Sequence, residues 1–259
     1  MLASQTIEIL RALRLEGMAQ GLEEQRHQND ITDLDFEERL GLLVQRQWAW
    51  KENRGLETRK KSAGFKIQCT LDELDFRLPR GLKRSQIEQL RQSQWVSENR
   101  NCLITGATGT GKTFLSCALG HHSCVLGHRT LYYYVPKFFR ALQIARADGS
   151  LPQLLKKLAR VSLLIIDDLG IASVTPQQYR DLLEVLDDRH GQGATLITSQ
   201  LPVEDWHQII GDTTVADAIM DRLAHSAYRI ALEGESVRKL KARSAPKRKP
   251  SDRKAQGTR

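Results

Sequence analysis

The 259-residue sequence predicts an α/β sandwich built on a parallel sheet, with a helical region before it and a basic tail after it. Three observations carry this. Beyond about residue 68, apolar runs at 101–105, 130–135, 161–166, 194–198 and 228–232 alternate with segments of helical spacing, the pattern of parallel strands joined by crossover helices. The first run leads into GATGTGKT at 106–113, a Gly-rich turn that opens a helical stretch. The third, VSLLII, is almost continuously apolar and ends in Asp167 and Asp168, as expected of a central strand covered by helices on both faces.

Along the chain, residues 1–67 carry no strand signal. Ile7, Leu10 and Leu13 suggest one amphipathic helix; Phe36, Leu40, Leu43, Val44 and Trp48 recur at helical spacing in another. The second helix runs into a basic stretch, with seven Lys/Arg against two Glu between 46 and 66. Trp48 is expected to pack the small core of this region. Arg54, Arg59, Lys60 and Lys61 are candidates to lie along DNA phosphates.

In the sheet region, the three tyrosines at 132–134 alternate within a strand and are expected to pack there. The connection that follows is unusually long and carries Lys137, Arg140, Arg146, Lys156 and Lys157, each as readily a solvated charge as a nucleic-acid contact. From 239 to 259 there are nine Lys/Arg and one Asp, a net of +8, which leaves 30 basic and 30 acidic residues in 1–238. The tail therefore holds the whole excess charge. It has no aromatics, and it should attract polyanions through Lys247, Arg248 and Lys249 without reading sequence.

The chemistry concentrates at 106–114. G-x-x-x-x-G-K-[ST] is met by Gly106, Gly111, Lys112 and Thr113. Glycines allow the tight turn that aims backbone N–H groups of Ala107, Thr108, Gly109 and Thr110 at one polyanion, and the following helix adds its positive end at Phe114. Lys112 is expected on the β and γ phosphates of ATP, and Thr113 on Mg²⁺. Asp167 would hold the same Mg²⁺, and Asp168 would act as base toward the attacking water. Aspartate is one methylene shorter than glutamate, so this base should position water less well and turnover should be slow.

Composition narrows the class. No apolar run approaches membrane-spanning length, and the N-terminus is amphipathic rather than a signal peptide. Cys69, Cys102, Cys117 and Cys124 form no C-x-x-C pair and read as reduced, buried thiols of a cytoplasmic protein. His121 and His122 belong to no metal motif and read as ordinary helix residues.

The order of blocks, with GATGTGKT, "LLIIDDLG", "ATLITSQLPVEDW" and "AIMDRLAHSAYRIALEGESVR", resembles the AAA+ ATPases of the DnaC/DnaA clade. Within that clade it is most similar to the IstB-like ATPases that assist insertion-sequence transposition, from about residue 69 to 238. The resemblance implies an AAA+ three-layer sandwich of strand order 5-1-4-3-2, with residues 68–240 as ATPase, 1–67 as a helical DNA- or partner-binding domain and 241–259 as a basic tail. It also implies Ser199, beside Thr198, as a γ-phosphate sensor and Arg222 as a finger reaching a neighbouring subunit's nucleotide. Arg238 falls where a second sensor lies, although Val237 stands where relatives carry Tyr. A finger acting in trans implies self-association. The function so implied is an ATPase that oligomerises on duplex DNA and recruits a transposase; the alternative is a helicase loader acting on single strands. No aromatic stacking array for single strands is visible. A small-molecule kinase would require a lid and a substrate pocket in place of the sensor-like blocks.

Overall fold

The computed structural model describes residues 3–28, 31, 33–170, 174–225, 227–237 and 239. Three helices lead: α1 (Ala3–Ala12), α2 (Glu16–His27) and α3 (Phe36–Ala63). α3 starts where Asp35 caps it, its carboxylate accepting the Glu38 amide at 2.8 Å while Glu38 accepts the Asp35 amide at 3.1 Å. It ends at Gly64, whose φ of 68° closes the helix in the left-handed region. α2 and α3 approach closely at Gly17, where a Cβ would lie 2.7 Å from Gln47 Cα.

That contact occupies one side of α3 and leaves the other open. Phe36, Leu40, Val44 and Trp48, spaced four apart, are all exposed, Trp48 by 68%. The expectation that Trp48 packs the region's core is therefore corrected: α2 covers only one side of α3 at this level, and Trp48 lies on the other. Trp50 is half-buried beneath the Arg54 guanidinium, 5.0 Å from its ring centroid.

After a short pair of helices, α4 (Arg84–Arg91) and α5 (Gln94–Ser97), the sheet region begins. It runs β1 (Cys102–Gly106), α6 (Lys112–Val125), β2 (Thr130–Tyr134), α7 (Val135–Asp148), α8 (Leu151–Ala159), β3 (Leu163–Leu169), α9 (Pro176–Arg189), β4 (Ala194–Ser199), α10 (Trp206–Ile210), α11 (Thr213–Ala224) and β5 (Tyr228–Leu232). All four pairings are parallel, in the order β2-β3-β4-β1-β5, which is the expected 5-1-4-3-2 seen from the other edge. The expected strands match within one or two residues, except that β3 continues through both acids to Leu169. Pro136 in the first turn of α7 ends β2 at Tyr134 and starts the helix.

Two cores flank the sheet. On one side Leu103, Leu164, Ile166 and Ile197 meet α7, α9 and α11; on the other Ile104, Ile165 and Leu196 meet α4, α5 and α6. Leu163, Leu164, Ile165 and Ile166 are all fully buried, which is why β3 reads as a continuous apolar run. The four cysteines are buried free thiols, and burial pushes those of Cys69 and Cys102 up to about 12. No helix among the described residues is long and apolar enough to cross a membrane.

Candidate nucleotide site

The carboxyl ends of β1, β3 and β4 converge on one cavity of about 420 Å³, within the range of small-ligand pockets. β1 delivers Gly106 at φ 143°, where a Cβ would lie 2.1 Å from the Leu232 carbonyl of β5, so only glycine lets the loop leave the sheet here. Gly109 and Gly111 also take positive φ, and Thr110 Oγ1 donates to Ala107 O at 2.9 Å to close the loop. Lys112, the first residue of α6, threads back through it: Nζ donates to Gly106 O at 2.6 Å and to Ala107 O at 3.0 Å. Burial draws its pKa down, opposed by Asp168 and Asp167. A buried ammonium satisfied only by carbonyls sits ready for an anion.

Asp167 is fully buried and held by three hydroxyls. Tyr132 donates to Oδ2 at 2.7 Å, Thr198 to Oδ1 at 2.7 Å, and Thr113 to Oδ2 at 2.9 Å. The Thr113–Asp167 pair offers the hard oxygen donors that suit Mg²⁺. Asp168 differs from its neighbour in backbone. The β3–β4 register slips between Ile166 and Leu169, and Asp168 takes φ 68°, which turns its carboxyl out of the strand into the cavity. Its amide donates to Thr198 Oγ1 at 2.8 Å. Burial raises the Asp168 pKa and the Asp167 charge adds to this, with Lys112, Lys66 and a hydrogen bond from Gln200 pulling the other way.

Ser199 does not face this cavity. Its hydroxyl donates to Leu169 O at 2.9 Å and accepts the Leu201 amide at 3.1 Å, fully buried. Successive strand residues point to opposite faces, so Thr198 and Gln200 share the site side. Gln200 lines the cavity and accepts the Thr108 hydroxyl at 2.7 Å. At the exit of β4, Gln200 and not the expected Ser199 therefore lines the cavity.

Arg222 lies on α11 outside its own chain's cavity, its Nε donating to Asp187 at 2.8 Å and its Nη1 to Asp221 at 2.5 Å. Arg238, Lys247, Arg248 and Lys249 fall outside the described residues. Of the other basic candidates, Arg54 and Arg59 line an open groove with Trp50, Lys51 and Arg129. Arg59 also donates to Cys124 O at 2.8 Å, tying α3 to α6, and Lys60 pairs with Glu57 at 2.9 Å. Lys61 is exposed on α3, Lys137 and Arg140 are exposed on α7, and Lys156 and Lys157 on α8; Arg146 is engaged by Asp181 at 2.7 Å.

The outer wall of the cavity comes from a stretch the motif reading did not reach. Lys66, Ile67, Asp75, Leu78 and Arg80 lie beside Phe114 and Tyr134. Arg80 is buried behind the loop, its guanidinium donating to Asp75 O at 3.2 Å and Thr110 O at 3.5 Å. Nothing in residues 66–80 has a phosphate-loop signature, and only the fold brings them there.

Comparison with known proteins agrees with this geometry. The family model described as "IstB-like ATP binding protein" matches residues 8–245. The chain is 42% identical over 245 residues to the insertion sequence ATP-binding protein y4pL of Sinorhizobium fredii (strain NBRC 101917 / NGR234), covering 95% of this chain and 100% of that one. It is 43% identical over 203 residues to the insertion sequence IS1162 ATP-binding protein of Pseudomonas fluorescens, covering 78% and 88%. Among solved structures, it is similar to DnaI (TM-score 0.51, 21% identity, 64% of this chain and 91% of that). It is also similar to AMPPCP-bound DnaA from Aquifex aeolicus (TM-score 0.55, 19% identity, 69% and 56%). At these identities the solved structures show a shared fold.

Proposed function

This chain belongs to the IstB-like ATP-binding family and is an AAA+ ATPase, and we propose that it assembles on duplex DNA with ATP and Mg²⁺ bound, recruits a transposase there, and is released by hydrolysis. One observation carries the reading: Lys112, Thr113, Asp168 and Gln200 line one cavity of a single chain, while Arg222 lies outside it.

Lys112 moves from its two carbonyls onto the β and γ phosphates. Thr113 and Asp167 would hold the Mg²⁺, which would supply charge neutralisation to the phosphate oxygens. Asp168, aimed inward by its left-handed backbone and made more basic by burial, accepts the proton of the attacking water. Gln200 orients groups around the γ-phosphate. Arg222 from a neighbouring protomer completes the charge stabilisation, so ATP bridges two subunits and ADP cannot.

Residues 1–67 form the DNA- and partner-binding part in this reading, 68–240 the ATPase, and 241–259 an accessory polycation. The Arg54–Arg129 groove contributes phosphate contacts. A transposase rather than a replicative helicase is the favoured partner, because the insertion-sequence relatives match nearly the whole chain and DnaI shares only the fold.

Sizing by light scattering tests this. With duplex DNA and Mg²⁺, ATP should give large assemblies and ADP should not. Equal assemblies with both nucleotides would contradict it.

A further inference from the structure

Lys66 enters the nucleotide cavity from an unexpected direction, the exit of α3. Gly64 breaks the helix, and Phe65 then lodges against Gly120 of α6, where an added Cβ would lie 2.6 Å from both Phe65 Cε1 and Ile165 Cδ1. That wedge fixes the backbone, and Lys66 extends from it to place Nζ 4.7 Å from the centroid of the Tyr134 ring. Tyr134 is the last residue of β2 and pairs in register with Asp167. Lys66, Tyr134, Lys112, Thr113 and Asp168 thus line one cavity.

Two features mark Lys66 as more than a surface charge. Among the described residues, no carboxylate lies within ion-pair distance of its ammonium. Its hold on the ring is weak, since a cation over an aromatic face at an exposed position remains well hydrated and gains little. A triphosphate placed against Lys112 would bring several negative charges into the same cavity, and Lys112 with a Mg²⁺ on Thr113 and Asp167 would still leave a net negative charge for a further cation. A four-carbon stem on a fixed backbone can transfer its head from the ring to an oxyanion at small cost.

We propose that Lys66 is a second phosphate ligand supplied in cis, resting on Tyr134 in the free protein and engaging the γ-phosphate of ATP. With ADP there is no γ-phosphate for it to reach, so it distinguishes the two nucleotides. Because Lys66 sits three residues past α3, the same contact ties the nucleotide to the helix that carries Arg54 and Arg59. The proposal requires only that nucleotide occupies this cavity, and it does not depend on DNA binding or assembly.

Binding of a fluorescent non-hydrolysable ATP analogue and of the matching ADP analogue, with Mg²⁺, tests it in the full chain. Lys66→Gln should weaken the ATP analogue roughly fivefold to tenfold and ADP by less than about twofold, the scale of one partly exposed charge-assisted contact. Lys66→Arg, which keeps the cation, should retain most of the discrimination. Equal weakening of both analogues, no weakening of either, or the same loss in Lys66→Arg as in Lys66→Gln would overturn the proposal.

Discussion

The Tyr132 hydroxyl donates to Asp167 Oδ2 at 2.7 Å, so the central residue of β2 holds the buried carboxylate of β3 in place. Both groups are buried. Burial first, and then the Asp167 carboxylate, push the Tyr132 phenol upward, which keeps it a donor at any physiological pH.

Removing that donor should therefore cost stability. Tyr132→Phe leaves a buried carboxylate oxygen short of one hydrogen bond, and denaturant unfolding should show a loss of about 1–3 kcal/mol. Thr113 and Thr198 still hold Asp167, so nucleotide should bind more weakly but remain measurable. An unchanged midpoint would mean that the phenol contributes packing alone.

Asp168→Asn should separate function from stability. Turnover should fall about 10²–10⁴-fold as the base is lost, with ATP still bound. The sign of the stability effect follows from the raised pKa. A carboxyl whose folded pKa exceeds its unfolded value costs stability above the folded pKa, and that cost disappears as pH falls below the unfolded one. At neutral pH the asparagine variant, which tolerates φ near 68° equally well, should be at least as stable as the parent. In the parent, the acid limb of the rate profile should lie above the ordinary aspartate range, with activity falling as pH drops through it.

Arg189 is a buried cation satisfied almost entirely by carbonyls. It donates to Val161 O at 3.0 Å, Leu158 O at 2.5 Å and Thr195 Oγ1 at 3.1 Å, with a further bond to Ala194 O. It joins the end of α8 to the start of β4. Arg189→Leu strands these acceptors and should destabilise by about 3–5 kcal/mol in chemical denaturation, with ATP affinity of the remaining folded protein little changed.

The basic groove makes a separate prediction. Arg54 and Arg129 come from elements far apart in sequence yet line one opening. The double variant Arg54→Ala/Arg129→Ala should weaken duplex binding alike across sequences and reduce the log–log salt slope by roughly 2, with ATP binding intact. An unchanged slope would remove the groove from the DNA-binding surface.

Much of the sheet and of the phosphate loop is legible in the sequence. Both rest on strong local signals: a strand buried on two faces must be apolar throughout, and a phosphate loop needs its glycines. Parity at the end of β4 is ambiguous in the sequence because Ser199 and Gln200 are both polar, and only the pairing of Thr198 with Asp167 shows which face is which. Trp48 is expected inside because an aromatic at helical spacing normally packs; its exposure reflects that α2 covers only one side of α3. Lys66, Tyr132 and Arg80 reach the site only through long-range topology. No local pattern distinguishes Lys66 from the other lysines of its basic run.

If the hydrolytic site is shared between subunits, two variants that are inactive alone should restore activity when mixed. Lys112→Ala cannot hold ATP but keeps Arg222, whereas Arg222→Ala holds ATP but lacks the finger. Each alone should be nearly inactive with duplex DNA and Mg²⁺. An equimolar mixture should recover hydrolysis, because a Lys112→Ala subunit can present Arg222 to the nucleotide of its Arg222→Ala neighbour. No recovery on mixing, or Arg222→Ala turning over alone at the parent rate, would contradict the account.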